Sequence, residues 1–388
     1  MVLHDAALAD GTSARLQTGI VLAIEDGRIA WIRPNDSADT SGATVVDAGG
    51  ATIVPALVDS HSHLTLQGGS HWIARGDDPP EVLREVARDN ARRLVHAGVL
   101  WARDVGAPMA AGRPLSLAVR EELGDRQDAP YLRVAGTWIG AKGYPGMWVT
   151  VDGAQLTDAA LAQLDMGTDL VKLYMDAPGG ATNSPFDLAD VSAMVRAVHA
   201  RGARVAAHSG YLAGARVAAE AGVDSIEHGM ELDDDVARTM DRNNVTLVST
   251  LSVFASWETF ARTTTLERFV TSEGRARTAK RKDGAYAAIA AAKRAGVTIA
   301  AGSDFGGGSV RAGHLAWEVE LLVAAGLEPH EALAAATRNG GDLLGVAHAG
   351  RLDTGASADL VLVHGDPLSD PRALWRVWAV YKRGVRVA

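Results

Sequence analysis

Cysteine is missing from all 388 residues. That absence removes disulfides, thiolate metal ligands and a cysteine nucleophile together. There is no apolar run of about 20 residues that could span a bilayer, and no long basic run. With 38 Lys+Arg against 47 Asp+Glu the formal charge is −9, which argues against a nucleic-acid or anionic-membrane partner. The opening "MVLHDAALADG" lacks the basic and apolar regions of a signal peptide, so the expectation is a cytoplasmic protein. Low-complexity segments and sequence-level repeats are also absent. Any metal site must be built from His, Asp, Glu and an unusual helper.

What remains is an ordinary globular composition, 47% hydrophobic, with room for one large domain and a smaller one. Residues 1–53 read as short strands, with a hairpin turn at "EDGR" inside "TGIVLAIEDGRIAWI". The end of the chain has the same texture in "ADLVLVHGDP" and "RVWAVYKRGVRVA". Neither piece can bury a core alone, so 1–53 and 350–388 are expected to pair into one small β-sandwich domain.

Residues 54–349 alternate apolar strands with amphipathic helices. The candidate strands are "ATIVPALVDS", "GVLWARDVG", "YLRVAGTWI", "DLVKLYMD", "RVAAHSG", "VDSIEHG", "VTLVSTLSV" and "VTIAAGSDF". Eight βα units at this spacing predict an α/β fold, a (β/α)8 TIM barrel. An open doubly wound sheet would need a Gly-rich phosphate turn after the first strand, and none is there. The stretch 253–297 is longer than one unit and has room for an extra helix.

Catalytic groups of such a barrel project from the C-terminal ends of its strands. Those ends carry His61 and His63, Lys172, His208, His228 and Asp304, where a purely structural core would use Val or Ile. Side chains two apart on a strand share a face, so His61 and His63 can grip one ion at roughly 2.1 Å. Singly, each residue has a structural reading: a hydrogen-bonded histidine, a snorkelling lysine, a helix-capping aspartate. Jointly, on one face of one barrel, they point to a metal centre. By contrast His96, His199, His330, His4, His348 and His364 read as structural or surface residues. Lys172 is the odd member, because an ammonium repels a metal. Burial favours its neutral amine, which can add CO2 to give an anionic carbamate able to bridge two metals; the spacing alone does not decide this.

The motifs "VDSHSHL", "VKLY", "VAAHSG", "AGVDSIEHG" and "AGSDFG", with the tail "GRLDTGASADLVLVHGDPL", run in order along nearly the whole chain. In them the chain resembles the amidohydrolase superfamily of metal-dependent hydrolases, and within it the prolidase-like and imidazolonepropionase-like members. The resemblance implies a first metal on His61, His63 and Asp304. It implies a second on His208 and His228, with carboxylated Lys172 bridging. Zinc is the default for so His-rich a site, and manganese or cobalt fits the same ligands. Asp304 would be catalytic, taking the proton of the attacking water and passing it to the leaving group.

The substrate implied is a small amide, such as an N-acyl amino acid or dipeptide, and the sequence leaves room for a homo-oligomer. Lactones, esters, carbamates or phosphotriesters at the same centre are the alternative, and a non-catalytic scaffold is a further one. Prolidase-like relatives usually carry a Gly-Gly-His-Gly turn after the third strand. Here "GAKGYPG" puts Tyr144 in the histidine's place, with Lys142 nearby. After the fifth strand Gly210 stands where relatives often have Tyr or His, and Tyr211 follows. Candidate substrate contacts are therefore Tyr144 and Tyr211, with His71, His314 and Arg311 from the loops after the first and eighth strands. Trp72, Trp138, Trp148 and Tyr174 supply apolar surface around the mouth.

Overall fold

Each of the eight apolar runs becomes a strand in the computed structural model, which describes residues 1–144 and 148–388. They are β1 (Leu57–Ser62), β2 (Val99–Asp104), β3 (Tyr131–Ala141), β4 (Leu170–Tyr174), β5 (Arg204–Ser209), β6 (Ser225–His228), β7 (Thr246–Ser249) and β8 (Ile299–Ala301). All seven neighbouring pairs are parallel. The outward side chains, Leu100, Val171, Val205 and Ile226 among them, join Leu94, Val195, Val198 and Ala218 of the surrounding helices in one continuous core. Inside, Val105, Ala135, Leu170 and Ala206 form a packed layer, as expected for a filled barrel.

Closure is incomplete. Among the described residues no ladder joins β8 to β1. The seam is held instead by an isolated parallel bridge between Ser62, at the end of β1, and Phe305, past the end of β8, where Asp304 N donates to His61 O at 2.8 Å and His63 N to Phe305 O at 3.1 Å. The buried Asp59 ties it further, accepting from Ser303 Oγ at 2.6 Å and Ser303 N at 3.0 Å.

The strands of the two chain ends form a separate eight-stranded sheet. In it Thr52–Pro55 runs antiparallel to Leu360–Val363 and parallel to the end of Val2–Leu8. The apolar stretch 51–60 is thus two strands in two sheets, with Ala56 between them. The sheet is fixed to the barrel by Lys382, whose buried Nζ donates to the carbonyls of Arg126 and Ala129, each at 2.7 Å. Between β7 and β8 the long connection carries helices Leu251–Phe260, Glu267–Val270 and Ser272–Ala295. The last ends on Gly296 at φ 84°, the left-handed cap that glycine adopts without steric cost. No helix among the described residues is long and apolar enough to cross a membrane.

Candidate metal centre

His61 and His63 leave the end of β1, and Asp304 follows β8 directly across the seam. Their ligand atoms all lie within 4.8 Å of one another, and all three residues are buried. His61 Nε2 and His63 Nε2 are each 3.4 Å from Asp304 Oδ1. The far nitrogens are engaged: His61 Nδ1 with Glu227 Oε2 at 2.6 Å, His63 Nδ1 with the Gly106 carbonyl at 2.7 Å. A carbonyl can only accept and an ionised carboxylate can only accept, so each Nδ1 carries a proton, which makes Nε2 the ligating nitrogen of each neutral ring. Orienting partners of this kind commonly lie behind ligating histidines.

His228 and His208 come next around the mouth. The His228 ring lies 4.7 Å from that of His61 and 4.6 Å from that of His208. His228 Nδ1 is 2.7 Å from Thr250 Oγ1. In His208 it is Nε2 that is engaged, at 3.2 Å from Asp176 Oδ2, and Nδ1 has no hydrogen-bond partner among the described residues. Burial, then the charge of Lys172, holds His61 well below the usual imidazole range. Burial, then His208, does the same for His228. Both are therefore neutral, the ligand form.

Lys172, on β4, is 1% exposed, and its Nζ has no hydrogen-bond partner among the described residues. Burial lowers its pKa to about 8, against the raising pull of Glu227 and Asp304. An orphaned buried amine with a lowered pKa fits carboxylation, since a carbamate would replace a costly buried ammonium with two ligand oxygens. The donor set of nitrogens and carboxylate oxygen, without thiolate, fits a divalent ion of the zinc, manganese or cobalt type.

Two of these residues hold unusual backbone. His228 has φ 70° and Asp304 φ 48°, the left-handed region that non-glycine residues avoid at a cost of about 1–3 kcal/mol. At His228 this breaks the strand's alternation, so that Glu227 and His228 both reach His61. Glu227 is itself locked, accepting from Arg103 Nη2 at 2.7 Å and Ser225 Oγ at 2.5 Å. Burial pushes its pKa up, but Arg103 and Lys172 outweigh that and hold it below the ordinary carboxylate range. Glu227, Arg103, Thr250 and Asp176 were not singled out from sequence. The available signal was an arginine and a glutamate inside apolar strands, both of which need a buried partner.

The mouth is walled by rings. Trp138 lies 5.5 Å from His63 and 5.6 Å from Trp148, Trp148 lies 4.6 Å from Tyr174, and Tyr174 stacks on His208 at 3.8 Å. Tyr144 stacks on Trp148 at 4.5 Å, but its hydroxyl donates to the Asp176 carbonyl at 2.9 Å. Its one proton is therefore already engaged rather than free for a substrate carbonyl. The rest of the "GAKGYPG" stretch, Pro145 and Gly146, lies outside the described residues. Tyr211 precedes the helix Leu212–Ala221 and is close enough to Tyr144 to interact electrostatically with it. His71 is exposed ahead of the short helix Trp72–Arg75. His314 packs at 5.5 Å on Trp375, and Arg311 lines an outer groove with Gln67, Asp89 and Arg92. The structure does not bring those last two to the His61–His63–Asp304 cluster.

A nearly closed parallel barrel with histidines and an aspartate converging at its C-terminal mouth defines a metal-dependent hydrolase. The chain belongs to the Amidohydrolase family, which residues 52–387 match, and it acts on carbon–nitrogen bonds. It is 33% identical over 374 residues to an uncharacterized protein of Mycobacterium tuberculosis, covering 95% of this chain and 92% of that one. It is 26% identical over 384 residues to the imidazolonepropionase of Mycolicibacterium smegmatis, covering 94% and 88%. Among solved structures a Xaa-Pro dipeptidase with bound methionine superimposes with a TM-score of 0.85 at 24% identity, covering 99% of this chain and 98% of that one; this likeness is one of fold.

Proposed function

We propose that the protein is a two-metal hydrolase cleaving the C–N bond of a small amide, such as an N-acyl amino acid or a dipeptide. The observation that carries this reading is the buried Lys172 Nζ, without a hydrogen-bond partner among the described residues, at the barrel mouth that also holds a His–His–Asp cluster and a second histidine pair. In this reading His61, His63 and Asp304 would hold one ion and His208 and His228 the other, with carboxylated Lys172 a ligand shared by both. Such ions, zinc by preference, supply Lewis acidity and a nucleophilic water at neutral pH.

The chain's own residues do the rest. Glu227 and the Gly106 carbonyl fix the His61 and His63 tautomers, and Asp176 fixes His208. Asp304, 7% exposed, presents Oδ1 to His61 and His63 and in this reading would take a proton and return it to the leaving nitrogen. The wall of Trp138, Trp148 and Tyr174 excludes water and offers a flat apolar surface to the substrate. Tyr211 and His71 are the remaining loop residues proposed to meet it. A cytoplasmic location belongs to the same reading, supported by the absence of cysteine.

The experiment is metal analysis together with a hydrolysis screen of zinc-loaded protein. Two equivalents of metal and cleavage of N-acyl amino acids or dipeptides are expected. Activity confined to esters, lactones or carbamates would replace the amide reading, and protein that binds no metal would end it.

A further inference from the structure

Arg281 lies half-buried on the helix Ser272–Ala295, with its Cζ 5.9 Å from the centroid of the Trp257 ring. Among the described residues its guanidinium has no hydrogen bond and no ion pair. Lys282, Lys293 and Arg294 of this helix are ion-paired, with Glu258 at 2.8 Å, Glu331 at 2.8 Å and Asp234 at 2.7 Å; Arg277 and Lys280, also without an ion pair among the described residues, are exposed, so Arg281 is the unpaired cation that is withdrawn from water. A guanidinium partly withdrawn from water gains from a carboxylate, which its fork can hold with two parallel hydrogen bonds.

Packing locates Arg281 at the mouth. Gly284, one turn further on the same face of the helix, lies against the Met230 carbonyl with no room for a Cβ. Met230 Sδ is in turn 3.6 Å from where a Cβ on Gly210 would stand. Gly210 N donates to Asp176 Oδ1 at 2.8 Å, the carboxylate that holds His208. The helix therefore lies beside the ends of β5 and β6. Beside Arg281, the Trp257 Nε1 is buried without an acceptor among the described residues. Two donors without a partner among the described residues thus lie side by side on the helices that flank the ends of β5 and β6.

We propose that Arg281, with the Trp257 indole N–H beside it, forms a carboxylate subsite, so that the substrate is an amide bearing a free carboxylate. This rests on the amide-hydrolase reading above. The test compares calorimetric binding of 4-oxo-4-phenylbutyrate, a ketone that cannot be cleaved as an amide, with its uncharged counterpart butyrophenone. Zinc-loaded full-length protein is used as the wild type, Arg281→Met and Arg281→Lys, with metal content and melting temperature checked for each.

The wild type is expected to bind the acid about tenfold or more tighter than the neutral ketone. Arg281→Met should bring the acid down to the ketone's level without moving the ketone, and Arg281→Lys should restore part of the preference. Equal binding of the two probes by the wild type overturns the subsite. So does a preference that survives Arg281→Met, which would place the carboxylate on the metal instead. Because binding is read without turnover, a preserved preference in a protein that cleaves no amide would sink the hydrolase reading and leave the subsite standing.

Discussion

An ammonium group with no acceptor in a buried site is costly, and Lys172 makes that cost depend on pH. Its folded pKa of about 8 lies below the ordinary 10.5. Between those values the unfolded chain keeps a proton that the folded chain has released, so stability of the metal-free protein rises with pH across the window. It is lost again as pH falls toward 8. Lys382 is lowered to about 8 as well, by burial, so the measurement is a comparison. Urea midpoints at pH 7.5 and 9.5 should differ more in the metal-free wild type than in Lys172→Met. The same substitution should cut bound zinc from two equivalents to one, read by elemental analysis. Asp304→Asn should lower turnover by about 10²–10⁴-fold, the range for a positioned proton carrier; near-normal turnover would remove its proton role. At this scale the sequence displayed the polar residues that end the apolar strands. It did not display Arg281, one cation among several on a long helix, nor that the Tyr144 hydroxyl is engaged by a carbonyl 32 residues away.

At the level of strands, the alternation rule that identified His61 and His63 as neighbours hid Glu227. An extended backbone would send Glu227 and His228 to opposite faces, and the φ of 70° at His228 leaves no mark in the residue types. The consequence is testable on Arg103 and Glu227, whose side chains are 3% and 0% exposed. Glu227→Gln leaves the guanidinium buried without its counter-charge, and should cost about 3–5 kcal/mol in urea unfolding. The same change loosens the support behind His61, so zinc affinity should fall by about 10–100-fold. An unchanged affinity would show that His61 is oriented by packing alone. The loop after β8 is a case where nearness in sequence says little about place: His314 and Arg311 follow Asp304 closely, yet as the chain enters the helix Leu315–Ala324 His314 packs on Trp375 and Arg311 lines a groove with Gln67, Asp89 and Arg92.

For the whole molecule, the β-rich texture of both chain ends was enough to expect that they pair. Which strand meets which was not legible, because register depends on long-range contacts that composition does not encode. Thr52–Pro55 bonds to Leu360–Val363 on one side and Val2–Leu8 on the other, and two residues later the chain enters β1. Deleting residues 350–388 would bare that strand's edge and remove the Lys382 anchor, so the truncated protein should fail to give a cooperative melt. The barrel's own weak joint is elsewhere, between β8 and β1, where two backbone hydrogen bonds replace a ladder. His61 and His63 stand on one bank of that joint and Asp304 on the other. An ion shared by them is a clasp, closing a long chain loop at the place where the strands do not, and its binding energy counts toward the closed state alone. Stripping the metal should therefore speed amide exchange at His63 and Asp304 before it does so at β4 or β5, as the barrel opens from its seam.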